Sequence, residues 1–249
     1  MKTVRLTMAQ ALVKYLTGLT EHDSGLPLFG GCWAIFGHGN VAGLGEALYQ
    51  YREQLPTLRA HNEQAMAHSA IAYAKAHFRR RMMAVTTSIG PGATNLLTAA
   101  ALANVNRLPV LLLPGDTFTS RTPDPVLQQL EHFSQGDVSV NDAFRPLSRY
   151  FDRIDHPAQL LDALPKAIAV LTDPAQCGPV TLALPQDVQA QAFDYPESFF
   201  APKTIRIRRP AADVLELAQA VELLKQAKRP LIVAGGGVLY SQAGQALSE

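Results

Sequence analysis

Residues 81–95 read RMMAVTTSIGPGATN, and this stretch decides the fold. Its first seven residues predict a buried strand, residues 88–92 end that strand, and a helix is expected from Ala93 onward. An apolar strand that runs through a glycine-rich turn into a helix is typical of a parallel α/β unit. Gly90 and Gly92 would let the backbone approach a ligand closely, but they could equally serve only to turn the chain.

The same alternation of strand and helix continues in both directions from this stretch. A first helix is predicted behind Thr7, a suitable N-cap. Further strands are predicted at residues 32–36, 57–60, 109–113, 148–154 and 179–184, and helices at residues 44–50, 63–77, 93–104 and 158–171. The predicted fold class is therefore α/β, with a parallel sheet covered by helices on both faces.

The domain organisation follows from a change of composition after Pro185. Residues 1–190 are predicted to form the first domain, and the proline-containing residues 191–210 to form a linker. Residues 211–249 contain a predicted helix at 213–226 and a strand at 230–234 before Gly235-Gly236-Gly237. Because a lone helix–strand–helix cannot bury its faces, we expect 211–249 to be the truncated beginning of a second α/β domain.

Composition narrows the class of function. Of the 249 residues 47% are hydrophobic and 17% charged, with a net charge of +1. This balance predicts a folded core and gives no reason to expect nucleic acid or an acidic membrane surface as a partner. No segment approaches the roughly 18 apolar residues that a membrane-spanning helix needs. We therefore predict no membrane or nucleic-acid partner. Cys32 and Cys177 lie far apart and match no CxxC or zinc spacing, which predicts a reduced, cytoplasmic protein.

Glu63 is the candidate catalytic residue, in the stretch RAHNEQAMAHSA at residues 59–70. It is open to three interpretations: a surface charge at a helix start, half of a metal site with His61 and His68, or a proton-transfer group. The two histidines do not have the spacing of HExxH, so we predict no metal site in this chain. The flanking residues predict an apolar surround for the carboxylate: Ala60, Ala65, Met66 and Ala67.

Two other motifs resemble known ligand sites incompletely. Gly115-Asp116-Thr117 with Asn141-Asp142 lacks the glycine at the third position and the second asparagine of the motif GDG…NN, which holds magnesium and a diphosphate. The three glycines at 235–237 do not complete GxGxxG, because Tyr240 stands in the third glycine's place. We interpret neither motif as a binding site.

Taken together, five motifs in series resemble the thiamine-diphosphate enzymes of the acetolactate synthase type. They are FGHGN at residues 36–40, HNEQAMAHSAIAYAKA around Glu63, SIGPGATNLLTAAA from Ser88, GPVTLALPQDV from Gly178 and KRPLIVAGGGV from Lys228. The resemblance covers nearly the whole chain. It implies that residues 1–190 are the pyrimidine-binding domain of the thiamine-diphosphate-binding fold.

The resemblance also implies a cofactor and its binding residues. Glu63 matches the glutamate that hydrogen-bonds N1′ of the aminopyrimidine and takes part in the proton transfer that activates C2 of thiamine diphosphate. Gly90, Pro91, Gly92 and Asn95 are the implied cofactor-binding residues. The diphosphate and Mg²⁺ would be held by a further domain beyond residue 249. The resemblance therefore implies that this chain alone is inactive, and that the enzyme is a homodimer or homotetramer with the cofactor at the subunit interface.

The turn at residues 37–40 directs the substrate prediction. It is similar to the branch of the family that hydrolyses a cyclic polyol-dione in inositol catabolism, and His38 and Asn40 are the candidate substrate residues. A structural role for this turn stays open, with Asn40 tolerating a positive φ and His38 pointing to solvent. Two other functions also remain open: a decarboxylase or carboligase of 2-oxo acids, and a nucleotide-binding regulatory module without chemistry.

Overall fold

The computed structural model describes residues 2–120, 126–128, 132 and 134–249. It divides into two compact units, Met1–Arg206 and Ile207–Glu249.

The first unit contains ten strands and seven α-helices among its described residues. The strands are β1 (Thr3–Thr7), β2 (Leu19–Glu21), β3 (Phe29–Ala34), β4 (Thr57–Leu58), β5 (Met82–Thr87), β6 (Val110–Asp116), β7 (Tyr150–Arg153), β8 (Pro179–Pro185), β9 (Ala192–Pro196) and β10 (Lys203–Ile205). The helices are α1 (Met8–Thr17), α2 (Glu46–Gln50), α3 (Glu63–Ala76), α4 (Pro91–Thr94), α5 (Leu97–Asn106), α6 (Leu160–Leu171) and α7 (Gln186–Gln189). Short 3₁₀ and π turns lie between them, including a π turn at Val41–Gly45 that leads into α2.

Six strands form a wholly parallel sheet in the order β4-β3-β5-β6-β8-β7. Every residue of β5, β6 and β8 is buried, as expected for central strands covered on both faces. One face packs against α1, α2 and α6 in a continuous apolar core. On the other face α3 packs against β5 and against α5, and the buried positions of both helices are mainly alanines that allow close approach. The predicted parallel α/β fold is confirmed.

The start of α1 was predicted correctly from its local sequence, whereas two other helices differ from their predicted form. Thr7 caps α1 as predicted, since its hydroxyl accepts from the backbone N–H of Gln10 at 3.2 Å. A single helix was expected at residues 93–104. The structure has two helices there, α4 and α5, which are separated by Asn95 and Leu96. The predicted helix at residues 44–50 begins with the π turn.

The structure differs from the predicted linker at residues 191–210. β9 pairs antiparallel with β1, and β10 pairs with β2, so most of this segment is part of the first unit. Tyr195 of β9 is fully buried, and its hydroxyl donates to the carbonyl oxygen of Pro157 at 2.9 Å. The proline content suggested a linker, but the backbone here pairs with strands far away in sequence, which composition does not reveal.

The second unit contains three helices: α8 (Val214–Gln226), α9 (Gly236–Tyr240) and α10 (Gly244–Ser248). Asp213 caps α8 by accepting from two backbone N–H groups. The predicted strand at residues 230–234 is not a strand, because no neighbouring strand pairs with it among the described residues. Its side chains are accordingly exposed, with Leu231 and Val233 each at 88%.

None of the helices in the described residues has the length and apolar character that crossing a membrane requires.

Candidate active site

Three loops meet at the carboxyl edge of the parallel sheet, where ligands bind in open α/β folds. The turn at residues 37–40 follows β3, the loop at residues 88–90 follows β5, and α3 begins at Glu63 after β4. The turn and the loop are in direct contact: the N–H of Gly39 donates to the hydroxyl of Ser88 at 3.3 Å. The sheet topology therefore brings together the motifs that the sequence places up to 50 residues apart.

Glu63 is the first residue of α3 and is partly buried. Asn62 caps the helix by accepting from the N–H of Ala65 at 3.0 Å, which fixes where the helix starts. Asn95 donates from Nδ2 to Oε2 of Glu63 at 2.8 Å. The predicted apolar surround is present only in part, because Met66 and Ala67 are buried while Ala65 is exposed.

The loop after β5 and the start of α4 lie against Glu63. A Cβ built on Gly92 would lie 3.4 Å from Oε1 of Glu63 and 3.7 Å from Cβ of Ser88. Gly90 has φ +63°, a conformation that favours glycine, and a Cβ there would lie 1.9 Å from the carbonyl oxygen of Gln128. Gly90 is thus required by its backbone conformation and by the close approach of Gln128, whereas Gly92 only lies in contact with Glu63. Pro91 lies exposed at the start of α4 between them.

The turn at residues 37–40 is held by the side chain of Asn40. This residue is 2% exposed and uses its whole carboxamide: Oδ1 accepts from the N–H of Gly37 at 2.9 Å, and Nδ2 donates to the Ile35 carbonyl and the Thr86 hydroxyl at 3.1 Å each. Its φ is −146°, so tolerance of a positive φ does not explain an asparagine here. The geometry gives Asn40 the task of shaping the turn, and its polar atoms are already engaged.

His38 differs from Asn40 of the same turn in its hydrogen bonding. Its Nε2 atom is buried and, among the residues that the structure describes, has no hydrogen-bond partner. A buried polar atom without a partner costs free energy, and such atoms are found where a ligand completes the bonding. His38 is only partly exposed as a residue and does not point its Nε2 into solvent.

Sequence reasoning missed several polar residues at the same edge. Ser88 and Thr86 bond the turn, Gln189 of α7 donates to the carbonyl oxygen of Gly39 at 2.7 Å, and Oε1 of Gln186 is buried without a partner in the described part of the chain. The motif GPVTLALPQDV includes Gln186, but nothing local indicates that a side chain of α7 would reach a turn 150 residues earlier.

The two aspartates of the incomplete GDG…NN motif form ion pairs and hydrogen bonds within the fold. Asp116 is 1% exposed and pairs with Arg153, whose Nε lies 2.7 Å from Oδ2 of Asp116. Asp142 bonds the N–H of Ser139 and pairs with Arg145 and Arg153. Arg153 lies in a strongly anionic surround, and although burial lowers its pKa, the nearby carboxylates raise it above the ordinary value.

The two histidines that flank Glu63 are not gathered into a cluster of metal ligands. His61 is exposed before α3, and Nε2 of His68 lies 3.3 Å from the side-chain nitrogen of Gln64. Across the described residues, no group of three or more His, Cys, Asp or Glu side chains has the arrangement of a metal site.

The residues at this edge fit the pyrimidine end of thiamine diphosphate. A carboxylate oxygen of Glu63 faces the space left by Gly92, and the partnerless nitrogen of His38 lies on the neighbouring turn. Asn95 holds the carboxylate from one side only, through Oε2. The arrangement places a carboxylate next to the closely packed backbone at the start of α4, and a protonatable heterocycle fits beside such a group.

Comparison with known proteins agrees with this geometry. Residues 32–139 match the family profile described as "Thiamine pyrophosphate enzyme, N-terminal TPP binding domain". This segment, which contains β3, the turn, Glu63 and the loop after β5, is similar to that N-terminal domain.

The matching relatives are more specific. The chain is 52% identical over 248 residues to a 3D-(3,5/4)-trihydroxycyclohexane-1,2-dione hydrolase of Geobacillus thermodenitrificans, a match that covers 99% of this chain. It is 50% identical over 249 residues to the enzyme of the same name from Clostridium tetani and 49% identical over 251 residues to that of Bacillus cereus strain AH820. The matched region spans 39% of the length of each of these relatives.

Proposed function

We propose that this chain is the N-terminal part of a thiamine-diphosphate-dependent hydrolase that opens the ring of a trihydroxycyclohexane-1,2-dione to give 5-deoxyglucuronate. The relatives that carry the name of this hydrolase are about half identical over nearly the whole chain, which supports the substrate class. The single observation that carries the catalytic part is the position of Glu63. Its carboxylate is fixed by Asn95 through one oxygen and faces the glycine cradle through the other.

When bound, thiamine diphosphate supplies a nucleophilic carbon that adds to a substrate carbonyl. The task of Glu63 is to hold and exchange a proton at N1′ of the aminopyrimidine, from the oxygen that Asn95 leaves open. Gly90 and Gly92 let the backbone approach the pyrimidine ring, and Pro91 fixes the first turn of α4. The Mg²⁺ and diphosphate are assigned to a part of the protein outside these residues, and the complete site to the interface of a homodimer or homotetramer.

His38 is assigned to the substrate. The cyclic dione presents hydroxyls and two carbonyls, and an imidazole nitrogen can donate to or accept from such groups. The buried and partnerless Nε2 of His38 supports this assignment. Asn40 was a second substrate candidate; we now assign it to shaping the turn, since its amide is already bonded on both sides.

The test is a substrate comparison with the protein at the full length of its relatives. We expect thiamine-diphosphate- and Mg²⁺-dependent consumption of the trihydroxycyclohexane-1,2-dione, with 5-deoxyglucuronate as product, and little turnover of pyruvate. Rapid decarboxylation or self-condensation of pyruvate with no turnover of the dione would instead establish an acetolactate-synthase-like carboligase. Absence of any cofactor-dependent chemistry would favour the regulatory module.

The isolated chain of 249 residues provides a second test. Because the diphosphate anchor is assigned elsewhere, calorimetry of this chain with thiamine diphosphate and Mg²⁺ should detect no tight binding. Tight, Mg²⁺-dependent binding by these residues alone would contradict the assignment of the anchor.

A further inference from the structure

Gln189, at the end of α7, is 1% exposed, and its side chain is fully bonded. Oε1 accepts from the backbone N–H of Leu44 at 3.1 Å, while Nε2 donates to the carbonyl oxygens of Gly39 at 2.7 Å and Leu184 at 2.9 Å. One amide thereby ties the turn after β3 and the following π turn to the end of β8. Burying an amide is favourable only with such bonds in place.

The turn has little room to move around these bonds. A Cβ on Gly43 would lie 2.4 Å from Cβ of Gln189, a Cβ on Gly39 would lie 2.8 Å from the backbone nitrogen of Ile89, and a Cβ on Gly115 would lie 2.7 Å from the Gly39 carbonyl oxygen. The turn is thus packed against α7 on one side and against the loops after β5 and β6 on the others. In such close packing, the loss of one anchor displaces the backbone that it holds.

His38 lies between the two bonded ends of the turn. Asn40 holds the N–H of Gly37 on one side of His38, and Gln189 holds the carbonyl of Gly39 on the other. The imidazole needs both anchors to keep its partnerless Nε2 at a fixed place, because the ring itself has no hydrogen bond from that atom within the described residues.

We propose that Gln189 is a positioning residue of the dione hydrolase, which acts on the substrate through His38 by fixing the turn at residues 37–40. This inference rests on the proposed function for its activity measurements. Within the described residues, the Gln189 side chain bonds Leu44, Gly39 and Leu184 and not the residues around Glu63, so its effect should fall on the substrate and not on cofactor activation.

The first experiment is a double-mutant cycle in the full-length protein. Gln189→Met keeps the length of the side chain but removes both donated hydrogen bonds, and kcat/KM for the dione should fall on the order of 10- to 100-fold. In a His38→Ala background the same substitution should change kcat/KM less than about twofold, because the group that Gln189 positions is already gone. Exchange of the cofactor's C2 proton should keep the wild-type rate in every variant of the cycle.

Gly43→Ala tests the same idea without removing any buried polar atom, in case the first variant does not fold. The added methyl group must displace Gln189. We therefore expect kcat/KM for the dione to fall, and to fall much less in the His38→Ala background. Thr181→Val is the matched control, since Thr181 is a fully buried residue of β8 whose hydroxyl bonds Ser148 at 2.8 Å and not the turn. It should lower stability without changing kcat/KM.

A measurement that needs no substrate separates this inference from the proposed function. In protein labelled with ¹³Cε1-histidine, the His38 signal is identified by its loss in His38→Ala. Gln189→Met should shift and broaden this signal, whereas Thr181→Val should leave it unchanged. If the dione is not a substrate at all, the proposed function fails, and the His38 signal still decides whether Gln189 positions the ring.

Two results would overturn the inference. Equal losses of kcat/KM in the wild-type and His38→Ala backgrounds would make Gln189 a residue of general stability only. An unchanged His38 signal in both Gln189→Met and Gly43→Ala would show that the turn keeps its place without this anchor.

Discussion

Two carboxylates at the same edge of the sheet, Asp116 and Glu63, show how different surroundings give the same group different roles. Asp116 ends β6, is buried, and has its oxygens bonded by Arg153 and by the backbone of Thr117. Glu63 begins α3, is partly exposed, and has a neutral amide rather than a cation as its neighbour. The interior carboxylate therefore has a cation as its partner, whereas the carboxylate at the start of α3 is bonded through Oε2 by a neutral amide.

The comparison shows that the role of a carboxylate depends on which groups already bond its oxygens. Asp116 belongs to a stretch that resembles a metal-binding motif, yet its oxygens are saturated within the fold. Glu63 belongs to no complete metal-binding motif, and its Oε1 lies 3.4 Å from the position that a Cβ on Gly92 would take. The following predictions test the contrast, from the largest expected effect to the smallest.

Glu63→Gln should slow exchange of the cofactor's C2 proton by about three orders of magnitude in the full-length enzyme. Glutamine keeps the size and the bond to Asn95 but cannot exchange a proton at N1′. Exchange followed by NMR in deuterated buffer measures this effect. Glu46→Gln, an exposed first-turn glutamate of α2, is the control and should exchange normally. If Glu63→Gln exchanges the C2 proton at the wild-type rate, Glu63 is not the proton-transfer group and its contrast with Asp116 does not hold.

Arg153→Met should lower the free energy of unfolding by about 3–5 kcal/mol, because it leaves the buried charge of Asp116 without its partner. Denaturant unfolding measures this loss. Arg145→Met removes an exposed ion pair with Asp142 and should cost only about 0–1 kcal/mol. Similar values for the two variants would mean that the buried pair is not the stabilising feature that the comparison requires.

His38→Ala should raise the activation free energy for dione turnover by about 2–4 kcal/mol while leaving cofactor affinity nearly intact. The measurements are kcat/KM on the dione and calorimetry with thiamine diphosphate. His22→Ala, an exposed histidine next to Asp23, serves as the control. An unchanged kcat/KM would leave the turn a structural role only.

Asn95→Ala should slow C2 exchange by roughly tenfold, less than the loss of Glu63 itself. The substitution removes a hydrogen bond to a charged group, worth about 1.5–3 kcal/mol, and frees the carboxylate to move. Asn106→Ala is the control, because that amide bonds only within α5 at the Leu102 carbonyl. If Asn95→Ala and Asn106→Ala exchange at equal rates, the amide does not orient Glu63.

The smallest effect concerns a third carboxylate, Glu21, which pairs with Arg80 away from the site. Burial raises its pKa, but hydrogen bonds from Ser24, Asp23 and Arg80 outweigh this and lower it to about 2. A lowered folded-state pKa stabilises the protein above the ordinary value of 4.5, and this stabilisation is lost as pH falls from about 4.5 towards about 2. Arg80→Met should weaken this acid dependence in thermal unfolding between pH 5 and pH 2, unlike Arg52→Met at an exposed pair. If the melting temperatures of both variants depend on pH in the same way, Arg80 does not contribute to the lowered pKa of Glu21.

The sequence by itself determined the parallel α/β fold, the position of Glu63 at a helix start and the glycines after β5. Each of these depends on local chemistry: unbroken apolar strands indicate a sheet covered on both faces, and Asn62 is a suitable helix cap. The family resemblance pointed to Glu63 because the motif around it is contiguous.

Only the tertiary structure decided which polar groups are used and which remain free. Asn40 and His38 are two residues apart, yet one is bonded on every side and the other has a buried nitrogen without a partner in the described residues. Thr86, which bonds Asn40, comes from β5, and Gln189, which bonds Gly39 between the two residues, comes from α7. Hydrogen bonds between distant segments depend on the sheet's order and on side-chain packing, and neither is encoded in a local pattern of residues.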